Sequence, residues 1–331
     1  MLNAVCEVEF KGYSYGFRPG RSQHKALDAL SIALMKKRVN WVLDADIKAF
    51  FDTIDHEWML KFIGHRIRDG RLLRQRARWL KAGVMEEGSL TRNEEGTPQG
   101  GSISPLLSNI YLHYVLDLWI EQWRKRQAHG DVIIVRYADD FVMGFQHKAE
   151  AEQLQTELRE RFTKFNLSLH PEKTRLIEFG RKAAADIKRR GEGKPETFGF
   201  LGFTHICEVT RARGKFIVLR QTIRKRMGAK LKEIKELKER LRDRMHEPIA
   251  QTGRWLRAAV SGCYRYHAVP HNLPAMMSFH RRVGQLWQAA LNRRSHKADT
   301  GWKRMDKMIN RWLPSPKVMH PYPEQRFGVI T

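Results

Sequence analysis

Two short apolar runs, Val132-Ile133-Ile134-Val135 and Phe141-Val142-Met143, stand on either side of Arg136-Tyr137-Ala138-Asp139-Asp140. Their β-branched and aromatic character predicts two strands joined by a tight turn, with adjacent carboxylates at the bend. A third strand is predicted from Trp41. There alternation puts Val42, Asp44 and Asp46 on one face and leaves Asp46 at the strand's exit. Other segments follow a helical period. Ser22 can cap a helix over residues 23–38 whose apolar face is Ala26, Leu27, Leu30, Ala33 and Leu34. Further helices are expected over residues 55–68, 71–81, 106–126 and 149–165, the last with Ala151, Leu154, Leu158 and Phe162 inward. Asp52 and Asp55 read as helix-start acids, favoured by the positive end of the helix dipole. Residues 1–10 carry no pattern, residues 167–177 read as a loop and a strand, and residues 198–203 as a small hydrophobic turn. The basic, glycine-containing segment 181–194 reads as a linker or an RNA-contacting loop. From Gln221 the period is helical again, with Met227, Leu231, Ile234, Leu237 and Leu241 forming a core stripe among lysines and arginines. Later helices are expected over residues 249–261, 274–294 and 302–312, with Trp255, Trp287, Trp302 and Trp312 among basic residues. Tyr264 and Tyr266 follow the first of them, and aromatics at helical spacing are usually core.

The carboxylates change the picture most. Adjacent acids on an otherwise apolar hairpin resist ionisation, because each charge opposes the other. For the dipeptide alone, a surface Asp-Asp turn is the ordinary reading. A third acid in a matching setting, Asp46, shifts the balance toward a divalent-cation site built from carboxylate oxygens and phosphate.

Asp46-Ile47-Lys48-Ala49-Phe50-Phe51-Asp52 and Tyr137-Ala138-Asp139-Asp140 resemble the two metal-binding motifs of reverse transcriptases, specifically those encoded by group II introns. The resemblance runs in order along nearly the whole chain. It implies an α+β fold: a right-hand polymerase palm with an antiparallel sheet, partial fingers, and an all-α thumb or maturase domain. The domains implied are residues 1–220 and 221–331. The reaction implied is RNA-directed DNA synthesis, in which a primer 3′-hydroxyl attacks the α-phosphate of a deoxynucleotide. Asp46, Asp139 and Asp140 would hold two Mg²⁺ ions, replaceable by Mn²⁺. In the loop Gly96-Thr97-Pro98-Gln99-Gly100-Gly101-Ser102, glycines let the backbone approach a base or sugar, and Gln99 and Gly100 are nucleotide-binding candidates. Phe51 matches the aromatic that lies under the sugar and excludes a 2′-hydroxyl. Lys173 matches a lysine near the pyrophosphate leaving group and is open to a second reading as a surface lysine. The turn-rich loop holding Arg18 and Arg21 resembles another family block; the two arginines contact template or incoming phosphate, or else brace the loop against the palm. Tyr264-Arg265-Tyr266-His267-Ala268-Val269-Pro270 and the closing stretch from His320 resemble the family's thumb, whose helices grip intron RNA as well as primer–template. The family's first fingers segment is expected to be missing, supplied by another chain or dispensed with, and an appended endonuclease domain is not expected.

Charge agrees with a nucleic-acid partner. The chain of 331 residues has a net charge of +25. Residues 1–180 hold 27 Lys and Arg against 24 Asp and Glu, whereas residues 181–331 hold 34 against 12. Such a lopsided excess points to a polyanion. The partners expected are an RNA template, a DNA primer, deoxynucleotides and structured intron RNA, with a homodimer or a complementing N-terminal fragment as further possibilities. An RNA-binding splicing factor that does not use its polymerase centre, or an inactive remnant, shares the same basic half. Three scattered cysteines give neither a disulfide framework nor zinc-ligand spacing, and His205 and Cys207 read as structural. No apolar run approaches the ~18 residues of a spanning helix, so a soluble, cytoplasmic protein is expected.

Overall fold

The computed structural model describes residues 2–67, 70, 84–86, 89–91, 103–210, 214–232, 248–293 and 300–328. The expected helix over 71–81, the loop with Gln99 and Gly100, and the basic stripe from 233 to 244 lie outside the described residues. Contacts divide the chain into two compact units. One comprises Met1–Leu201 with Val209–Val218, the other Gly202–Glu208 with Leu219–Thr331.

The first unit is built on a four-stranded antiparallel sheet. Its strands are β1 (Trp41–Ala45), β4 (Val132–Tyr137), β5 (Asp140–Phe145) and β6 (Arg175–Glu178), in the order β4-β5-β1-β6. A separate hairpin pairs β2 (Val84–Glu86) with β3 (Ser89–Thr91). The central strands are apolar on both faces because helices cover both. Leu43, Ala45, Phe141, Met143 and Phe145 join a core with Tyr111, Val115, Ile120, Leu154, Leu158 and Phe162. The alternate positions Val42, Val142, Ile133 and Val135 are buried outside that cluster. The helix Gln23–Lys36 packs on β4, and its residues Ala26, Leu27, Leu30 and Leu34 are also buried there. Ser22 caps that helix by accepting from the Lys25 N–H, and Asp55 caps His56–Gly64 by accepting from the Trp58 N–H.

Three elements differ from expectation. The single helix over 106–126 is instead Ser104–Leu112, a π turn at His113–Asp117, and Leu118–Arg126. The segment after β6 is no loop: Arg181–Arg190 is a helix, because Ala183 and Ile187 one turn apart find a core. Its last-turn cations Lys188, Arg189 and Arg190 suit the negative end of the helix dipole, and Gly191 ends it at φ +76°. The hydrophobic turn at 198–203 becomes β7 (Phe198–Phe200) and the start of β8 (Phe203–Val209), which with β9 (Phe216–Thr222) makes a three-stranded sheet.

In the second unit the helices Ile249–His267, Leu273–Asn292 and Trp302–Trp312 enclose Leu256, Val260, Tyr264, Phe279, Trp287 and Met305. Gly253 permits one close approach, since a β-carbon there would stand 2.6 Å from the Trp312 ring. The described aromatics Tyr264 and Trp287 are core, as their spacing suggests, whereas Trp302 remains 49% exposed. No helix among the described residues is long and apolar enough to cross a membrane. Among the described residues Cys6, Cys207 and Cys263 are buried and form no disulfide.

His205 on β8 is fully buried. Burial first, then the neighbouring Arg220 cation, pushes its pKa down to about 3. The unfolded chain takes up this proton below pH ~6.5, whereas the folded protein does not, so stability is complete above that pH and falls as pH drops toward 3. The largest slope from this one residue is about 1.4 kcal/mol per pH unit. His205→Gln should therefore lose less thermal stability than the parent between pH 7 and 5; equal losses would contradict this.

Candidate active site

The acids meet because of strand register. In the antiparallel pair of β1 and β5 the last partners are Ala45 and Phe141, so the next positions outward are Asp46 and Asp140. The hairpin of β4 and β5 closes on Tyr137 and Asp140, leaving Ala138 and Asp139 as its two-residue turn. Ala138 takes φ +57°, the left-handed geometry that such a short turn demands. Acids from two strands thus share one end of the sheet. Their proximity appears in the electrostatics. Asp139 is raised above the ordinary carboxylate range, chiefly by burial and in part by the charge of Asp46. Asp44, two residues inside Asp46, is pushed up to about 6 by burial, opposed by Arg175 and reinforced by Asp140 and Asp46. Asp140 itself is exposed.

Beneath the turn lies a buried ion pair. The Arg136 guanidinium, wholly shielded from solvent, donates to both oxygens of Asp117 at 2.9 and 2.5 Å. It also donates to the Asn109 side-chain oxygen at 3.1 Å and to the carbonyl of Ala138 at 2.9 Å. A planar fork of donors is suited to such two-pronged pairing. Asp117 ends the π turn, a rare local widening that recurs at functional sites. The loop before the first long helix completes the assembly. Tyr15 N–H donates to the Arg136 carbonyl at 2.8 Å and Arg136 N–H to the Tyr13 carbonyl at 2.9 Å. The Asn109 amide donates to the Gly16 carbonyl at 2.7 Å. A β-carbon on Gly16 would fall 2.3 Å from the Ala138 nitrogen, so only glycine fits against the turn.

The other candidates divide. Lys173 approaches Asp46, its Nζ 2.8 Å from Oδ2, and this hydrogen bond raises the exposed amine's pKa. The peptide beyond Asp46 is tied to the Lys173 loop, with His170 N–H donating to the Asp46 carbonyl at 2.8 Å and Lys48 N–H to that of Ser168 at 2.9 Å. Phe51 is half-buried on the core edge, its ring 5.3 Å from that of Phe50, following Ala49 in the left-handed region. Arg18 departs from a phosphate-contacting role and takes the bracing one. It is 8% exposed and its donors serve Glu7 and the carbonyls of Phe10, Lys11 and Ser14. Gln99 and Gly100 lie outside the described residues. Arg136, Asp117, Asn109 and Gly16 escaped the sequence reading. A lone arginine ending an apolar strand, and a lone aspartate among apolar helical residues, were the available signals.

Among the described residues no three Asp, Glu, His or Cys side chains already form a metal cage, and Asp46 is turned onto Lys173. The donor set nevertheless fits a hard divalent cation. It offers carboxylate oxygens only, and their mutual repulsion is relieved by added positive charge.

An antiparallel sheet flanked by helices, with acids from two central strands at one end, is the palm of a right-hand nucleic-acid polymerase. The chain belongs to the reverse transcriptase (RNA-dependent DNA polymerase) family, whose model matches residues 1–205. It is 35% identical over 190 residues to Protein YkfC of Escherichia coli strain K12, covering 48% of this chain and 49% of that protein. It is 39% identical over 126 residues to the group II intron-encoded protein LtrA of Lactococcus lactis subsp. cremoris, covering 38% of this chain and 20% of LtrA. The chain thus spans half or less of the length of these relatives. The structure of apo telomerase from Candida tropicalis covers 94% of this chain and 52% of its own, at TM-score 0.47 and 13% identity, a distance that adds nothing to the assignment.

Removing one partner of the buried pair strands a charge in the interior. Asp117→Ala should cost about 3–5 kcal/mol in chemical denaturation, and Asp117→Leu combined with Arg136→Met should cost clearly less. A loss under about 1 kcal/mol for Asp117→Ala would show that the pair does not hold the turn.

Proposed function

We propose that the chain is an RNA-directed DNA polymerase of the group II intron type, extending a DNA primer on an RNA template. The observation that carries this reading is the register that sets Asp46, Asp139 and Asp140 at one end of the palm sheet. These three acids would hold two Mg²⁺ ions. Bound there, the ions supply positive charge for the attacking hydroxyl and for the leaving pyrophosphate. The protein's own part is positioning and electrostatics, since phosphoryl transfer needs no covalent protein intermediate. The hairpin fixes Asp139 and Asp140, the pinned β1 exit fixes Asp46, and Lys173, cationic beside Asp46, shields or protonates the pyrophosphate. Phe51 lies under the sugar and disfavours a ribonucleotide, and Gln99 and Gly100 form part of the nucleotide pocket.

A second role is supported by the charge of residues 181–331, 34 basic against 12 acidic side chains. The helical unit builds its core from Leu256, Val260, Tyr264, Phe279 and Trp287, and we assign its cations to structured intron RNA, read through phosphates and 2′-hydroxyls. In this reading the protein acts as a maturase as well, working with RNA inside the cell.

Primer extension on an RNA template with Mg²⁺ tests the first role. Asp139→Ala should abolish extension while leaving RNA retention in a filter assay almost intact; synthesis by the variant would refute the assignment. Phe51→Ala should raise ribonucleotide incorporation relative to deoxynucleotide, and unchanged selectivity would remove Phe51 from the sugar pocket.

A further inference from the structure

Phe17 is an outlier twice over. It adopts φ +54°, a region that bulky side chains rarely occupy, and it is 55% exposed. Such a conformation persists only where its surroundings over-determine it, and it tends to mark functional sites. The surroundings here are unusually firm. On one side Tyr15 and Gly16 are bonded to Arg136 and Asn109, with Gly16 pressed on the Ala138 nitrogen. On the other, Arg18 is anchored by Glu7 and three backbone carbonyls. The flanking backbone has no freedom to turn the ring inward, so the phenyl group stands out beside the catalytic turn.

Its neighbour there is Tyr137, the residue just before Ala138 and Asp139. The two rings lie 6.0 Å apart at 47°. Tyr137 is half-buried, and burial raises its hydroxyl's pKa although the Gln23 side chain bonds it. In the segment around Phe17, Arg18 pairs with Glu7 and Lys11 with Glu121, while Arg21 and Lys25 bond the Gly12 and Gly20 carbonyls. An outward aromatic near Arg21 and Lys25, adjacent to the acids proposed above to hold cations, matches the way proteins hold nucleic-acid strands: stacking for bases, positive charge for the backbone. A glycine would meet the backbone requirement without strain, so the ring itself needs a purpose.

We propose that Phe17, backed by Tyr137, is a contact platform for a nucleobase of the primer–template duplex beside the catalytic turn. The ligand class rests on the polymerase reading above; the platform's existence is tested without it. The base belongs either to the primer terminus or to the template strand.

The test uses the full chain and a DNA-primer/RNA-template duplex in EDTA, so that no turnover occurs. Affinity is read by anisotropy, with 2-aminopurine placed in one arm at the primer terminus and in the other at the templating position. Phe17→Ala and Phe17→Gly should each weaken binding about tenfold or more, the range expected for one lost stacking contact. Phe17→Trp should restore parental affinity. The parent should quench aminopurine in one arm, naming the strand, and the Ala and Gly variants should not. Phe17→Gly relieves the left-handed backbone and should hold or raise the melting temperature, which separates ring loss from misfolding. Parental affinity and quenching in both small variants would overturn the platform, as would a parent that does not bind the duplex. If the parent binds with these differences but never extends a primer with Mg²⁺, the platform stands and the polymerase reading falls. If it extends normally while the variants are indistinguishable from it, the platform alone falls.

Discussion

The contact on which the site depends is the buried pairing of Arg136 with Asp117. A guanidinium with no solvent exposure is tolerable only when its donors are satisfied, and here two carboxylate oxygens, an amide oxygen and a main-chain carbonyl do so. The same residue therefore joins four pieces of chain: strand β4, the π turn, the helix Ser104–Leu112 and the turn carbonyl of Ala138. Through the backbone bonds of Tyr13 and Tyr15 it also holds the loop that carries Gly16 and Phe17. The acidic turn is not free to relax away from its own repulsion, because its foundation is fixed from below. Such a fixed foundation pre-organises Asp139 and Asp140, while Asp46 is turned onto Lys173.

The sheet supplies the other half of the arrangement. Antiparallel pairing brings the exit of β1 and the start of β5 to the same edge, and a one-residue slip would send Asp46 to the opposite face. Helices on both faces make such a slip expensive, since Leu43 and Ala45 would exchange environments with Val42 and Asp44. Hydrophobic burial thus fixes register, and register fixes chemistry.

Much of this was legible in the residues alone. Local period and capping chemistry identified β1, β4, β5, the helices from Gln23 and His56, and the helix Lys148–Lys164 expected over 149–165, and the hairpin with its acids was plain from Tyr137-Ala138-Asp139-Asp140. What local pattern does not encode is pairing at a distance. Lys173 and Asp46 are separated by 127 positions, and Asn109 and Gly16 by 93. Arg18 stayed open between phosphate contact and bracing because its partners, Glu7 and turn carbonyls, lie in a segment with no periodic signal. The helix Arg181–Arg190 was hidden by its charge, since two buried residues, Ala183 and Ile187, suffice to seat it. In the second half composition made the cationic character obvious, and helical spacing put Tyr264 and Trp287 in the core, although Trp302 stays exposed.

We propose that carboxylates from the exit of β1 and the β4–β5 turn form one cation site. Direct titration of Mn²⁺, followed by electron paramagnetic resonance of the free ion, compares the parent with Asp46→Asn/Asp139→Asn. Saturable, Mg²⁺-competable binding is expected in the parent and should disappear in the double variant without loss of folded structure. Equal Mn²⁺ uptake by both proteins would contradict it.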